Sequence, residues 1–71
     1  MHALYLRDLA GRETVTLHAS LDDARSSLAE RIKSDWPATL GTQPLDDDAL
    51  IERYFASGVA RYAIAGVAPD L

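Results

Sequence analysis

Seventy-one residues leave room for one small domain, and a formal charge of −4, from 7 basic against 11 acidic side chains, disfavours binding to nucleic acid or to an anionic membrane. With 48% hydrophobic and 25% charged residues, the composition is that of a chain that folds. There is no cysteine, which excludes a disulfide framework, a thiolate zinc site and a cysteine nucleophile, and fits a reducing compartment.

The segment from Met1 to Asp8 lacks the basic start and apolar core of a secretory signal. No apolar run approaches the ~18 residues of a membrane span, so the expected location is the cytoplasm. In residues 2–8, Leu4 and Leu6 alternate with Ala3, Tyr5 and Arg7, the period of a half-buried strand. Gly11 supplies a turn, and a second strand is expected over 13–19, where Val15 and Leu17 alternate with Thr14, Thr16 and His18. That alternation assigns Val15 and Leu17 to the core and the threonines and His18 to the outward face.

Ser20 is the expected N-cap of a first helix over 21–36, with Asp22 and Asp23 suited to its positive end. Leu21, Ala24, Leu28, Ile32 and Trp36 recur at helical spacing, and Pro37 ends the segment. Residues 37–45 read as a loop bounded by prolines. Asp46 then caps a second helix over 47–57, an assignment that pairs Leu45 with Leu50 as a hydrophobic staple and sets Gly58 beyond the helix end. A third strand is expected over 59–67, with Tyr62 and Ile64 on one side and Arg61 on the other, followed by a tail at 68–71.

The resulting order, ββααβ, predicts a small α+β domain whose three-stranded, mainly antiparallel sheet is packed on one face by two helices. Its expected core is Leu4, Leu6, Val15, Leu17, Leu28, Ile32, Leu50, Tyr54, Phe55 and Ile64. Strand order stays open: the third strand beside the second gives a meander, and beside the first it can give a parallel pair. A core of this size supplies only about 3 to 5 kcal/mol, so association with a partner or a second copy would add useful stability.

The charge is unevenly placed. Up to Ser34 acids and bases cancel; beyond it Asp35, Asp46, Asp47, Asp48, Glu52 and Asp70 face only Arg53 and Arg61. The run Asp46-Asp47-Asp48 lacks the alternating carboxylates, glycine and distal glutamate of a calcium loop. One aspartate suffices as a cap, and Asp48 and Glu52 repel one another at i,i+4, so Asp47, Asp48 and Glu52 are available to a basic partner, with Asp46, Asp35 and Trp36 beside them. His2 and His18 sit in no metal-ligand spacing, and Ser26 and Ser27 in no nucleophile motif. Tyr5 and Tyr62 are candidates for an aromatic and polar surface shared with Thr14, Thr16 and His18. No enzyme activity, cofactor or metal is expected.

In length, acidity, absence of cysteine and absence of enzyme motifs, with the acids Asp46, Asp47, Asp48 and Glu52 at one place, the chain resembles the anti-CRISPR proteins of phages and mobile elements. The resemblance implies a non-enzymatic inhibitor in the host cytoplasm. Its carboxylates would occupy a basic, DNA-handling surface of a CRISPR-Cas effector, such as a Cas subunit, where DNA phosphates otherwise lie. The other readings are an antitoxin-like or regulatory interaction module, as a homodimer, and an enzyme or chaperone subunit completed at a dimer interface.

Overall fold

The computed structural model describes residues 1–67; the expected tail at 68–71 lies outside them. Strands β1 (His2–Arg7), β2 (Glu13–His18) and β3 (Arg61–Gly66) and helices α1 (Leu21–Ser34) and α2 (Asp47–Phe55) follow the order ββααβ. The connection between the helices contains a short 3-10 helix at Ala38–Leu40. The small α+β architecture expected from the sequence is the one observed.

The sheet order is β2-β1-β3, with β1 antiparallel to both neighbours. The third strand thus docks beside the first, and the pair is antiparallel rather than parallel. The helices carry the chain from the His18 end of the sheet to the Arg7 end, so β3 starts opposite Arg7 and runs with β2.

The β1–β2 register is fixed by the loop between them. The buried carboxylate of Asp8 accepts hydrogen bonds from the backbone N–H groups of Ala10 (3.0 Å) and Arg12 (2.9 Å). The Asp8 N–H donates to the Arg12 carbonyl, and Gly11 takes the positive φ of 84° that closes the turn. This places Leu6 opposite Thr14 and Leu4 opposite Thr16.

Directly opposed residues point to the same side of a sheet. Thr14, Thr16 and His18 therefore lie on the side of Leu4 and Leu6, towards the helices, while Val15 and Leu17 face away and are 66% and 61% exposed. This reverses both expectations for the second strand, because turn geometry, not the apolar alternation, sets the register.

Helix α1 packs on all three strands and on α2. The core is Leu4, Leu6, Ala24, Leu28, Ala29, Ile32, Leu50, Ile51, Tyr54 and Ala60, with Trp36, Phe55 and Ile64 partly buried at its margin. Leu21 is exposed at the start of α1. Ser20 caps this helix, its hydroxyl accepting from the Asp23 N–H (3.1 Å), and the helix stops at Ser34, short of Trp36, with Asp35 as C-cap. Asp46 caps α2 through the Ala49 N–H (3.1 Å), while α2 ends at Phe55, two residues earlier than expected. The staple does not form: Leu45 is fully exposed at 101%, because Leu50 is already sealed by the core beneath it and leaves no surface for Leu45 to cover. The shortest dimension, 17 Å, fits one sheet carrying helices on one side only.

Candidate functional site

Tertiary packing redistributes the acids at the start of α2. Asp46 is committed to its cap. Asp48 accepts from the Arg25 guanidinium of α1 at 2.5 Å, and Asp47 lies 3.3 Å from Lys33 Nζ, which also approaches Glu30 at 3.8 Å. The acidic turn is thus tied to α1 by two ion pairs across the helix interface. All four side chains stay in water, Asp48 being 78% and Asp47 54% exposed, so each pair contributes about 0.2 to 1 kcal/mol.

The first turn of α1 meets the same place. Asp22, Arg25 and Ser26 face Asp47, Asp48 and Ile51 across a groove of about 250 Å³. Three carboxylates and one guanidinium line it, so Asp22, balanced along the sequence, is unbalanced in space. Leu45 projects into solvent immediately before this acidic turn. Along the sequence Asp22 fits the helix dipole and Leu45 a staple; the signal that points the other way is a leucine isolated between Pro44 and three aspartates.

The remaining expected site residues lie elsewhere. Glu52 lines a second shallow groove with Pro44, Ala49, Arg53 and Ala56. Asp35 belongs to a cleft of about 480 Å³ beside the hairpin loop, with Asp8, Arg12, Arg31 and Tyr54. Trp36 is half-buried, donates from Nε1 to the Gly41 carbonyl (2.9 Å) and packs at 6.3 Å from the Tyr54 ring, which makes it a clamp on the interhelical loop. The Tyr54 hydroxyl accepts from the Leu9 N–H at 3.2 Å. Burial pushes this phenol above its ordinary value of 10.0; the Asp8 and Asp35 charges add to the rise, and the Leu9 bond and Arg31 oppose it.

The register sets His2 opposite His18, a proximity no spacing rule revealed. Their rings have different neighbours: His18 Nε2 bonds Thr16 Oγ1 at 2.6 Å, while His2 Nε2 lies near Gly66 and His2 Nδ1 is buried with no hydrogen-bond partner among the described residues. No group of three or more such side chains among the described residues is placed to hold a metal ion. The expected aromatic surface is not assembled. Tyr62 faces the helices opposite Leu6 and packs against Phe55 with tilted rings 4.8 Å apart, whereas Tyr5 shares the opposite face with Val15 and Ala63, again because pairing register decides the side.

Among the described residues no helix is long and apolar enough to cross a membrane. Compared with known protein families, with curated proteins and with solved structures, the chain matches none.

Proposed function

We propose that this domain is a non-enzymatic, protein-binding inhibitor of the anti-CRISPR type, which docks the acidic ends of its two helices on a basic, DNA-handling surface of a CRISPR-Cas effector. The observation that carries this reading is the convergence of Asp22, Asp47 and Asp48 around one groove at the start of the two helices, with the fully exposed Leu45 two residues before Asp47 in the chain. Carboxylates alone suit any cation; carboxylates that follow a fully exposed leucine in the chain suit a basic protein surface with an apolar spot. Arg25 and Lys33 hold Asp48 and Asp47 in place, which lowers the entropy lost when they meet a partner.

The test is a titration of the domain against DNA binding by purified CRISPR-Cas effector complexes. Inhibition is expected to weaken as salt rises and to disappear when Asp22, Asp47, Asp48 and Glu52 become Asn or Gln while the circular dichroism spectrum is unchanged. Inhibition that survives those changes would remove the acidic groove from the mechanism, and no inhibition of any effector would remove the reading itself.

A second reading, an antitoxin-like or regulatory module acting as a homodimer, is favoured by a different observation: among the described residues, none forms a layer over one whole face of the sheet. Capture of a toxin or transcription factor, with Cas subunits absent, would select it.

A further inference from the structure

The face of the sheet opposite the helices is apolar over most of its length. It presents Ala3 and Tyr5 from β1, Val15 and Leu17 from β2, and Ala63 and Ala65 from β3. Among the described residues, charge appears on this face only at one end, in a row across the three strands: Arg61, Arg7 and Glu13. Arg7 and Arg61 are directly opposed like charges, an unfavourable pair in a free sheet.

From strand spacing and rise the face measures about 14 by 20 Å. That is a footprint of about 280 Å² in projection, on the scale of the largest patch a monomer leaves uncovered. Two such faces together bury about 560 Å² in projection, the scale of a weak contact whose population depends on concentration.

We propose that a second copy of this chain covers that face, the two sheets stacking about a twofold axis parallel to the strands. This axis lays β2 of each copy over β3 of the other. Size and charge then match through one operation: Val15 and Leu17 meet the alanines Ala63 and Ala65 of the second copy, and Glu13 meets its Arg61. The same axis lays β1 over β1 and so sets Arg7 of one copy over Arg7 of the other, a like-charge contact flanked and outnumbered by the two Glu13–Arg61 contacts. A twofold axis across the strands matches neither size nor charge, since it stacks β2 on β2 and sets the charged row against the apolar end. Packed sheets cross at about 30°, which displaces the ends of six-residue strands by about 5 Å, a distance the long side chains of Glu13 and Arg61 can span. Both helical layers remain outside, so the dimer presents two copies of the acidic groove, and its existence does not depend on what that groove binds.

The test is sedimentation equilibrium of the full chain across the micromolar range. The wild type is expected to dimerise, and Leu17→Lys to raise the dissociation constant more than tenfold, as expected for a charge forced into an apolar interface, without altering the folded spectrum of an already exposed position. Glu13→Arg and Arg61→Glu are each expected to weaken self-association. Mixed together, those two variants form a heterodimer with both opposite-charge contacts restored, tighter than either homodimer, which native mass spectrometry reads directly. A wild type that stays monomeric throughout, a dimer indifferent to Leu17→Lys as an edge-to-edge strand pairing would be, or a mixture no tighter than its components would each overturn the proposal.

Discussion

The two faces of one three-stranded sheet carry similar kinds of side chain and have opposite fates. On the helix side Leu4 and Leu6 are 3% exposed, sealed by α1, although their neighbours on β2 are threonines. On the other side Val15 and Leu17 are the best apolar candidates of β2 and stand in water. Burial follows from where the helical layer lands, and the hairpin loop determines which residues of β2 meet it.

The contrast breaks most visibly in the core. Leu28→Ala removes a side chain with no exposure and is expected to cost about 2 to 5 kcal/mol, enough to unfold much of the population of so small a domain. Leu17→Ala, in a dilute monomer, is expected to shift the urea midpoint hardly at all, within about 0.5 kcal/mol. Equal losses at the two positions would mean that both faces are covered in solution at that dilution.

Smaller effects sharpen the picture on the helix side. Asp46→Ala removes the cap of α2 and is expected to cost about 1 kcal/mol, whereas Asp47→Ala removes no cap; comparison of thermal midpoints separates them. Tyr54→Phe removes the hydroxyl that accepts from Leu9, at about 0.5 to 1.5 kcal/mol. It also changes the alkaline limb. Because burial raises the folded phenol above 10.0, its contribution is complete below that pH, and above it the unfolded chain releases its proton first, so stability falls. Denaturant titrations between about pH 9 and 11 are expected to show a shallower decline in the Tyr54→Phe variant. A smaller loss on this side is expected of Asp48→Asn, which breaks the exposed pair with Arg25 for about 0.2 to 1 kcal/mol, a difference in thermal midpoint that shrinks with added salt.

Local signals were legible in the sequence because they act over a few residues. Ser20 and Asp46 cap helices, Gly11 adopts positive φ, and the stripe Ala24, Leu28, Ile32 is buried. Of the candidate site, Asp47 and Asp48 were visible as a run of charge. Their pairing with Arg25 and Lys33, and the addition of Asp22, were not, since these contacts join residues far apart in the chain. Leu45 was misassigned because the staple pattern describes what such a leucine does when Leu50 has surface to spare.

The sequence by itself determined the element order, the caps, the helical stripe and the −4 charge concentrated beyond Ser34, all consequences of local backbone preference and composition. Only the tertiary structure decided the place of β3 beside β1, the side on which β2 shows its threonines, and the balance of charge around the helix ends. Those depend on register and on which element lies over which. A single residue of slip inverts a strand's two faces, and no pattern along the chain measures a distance across it.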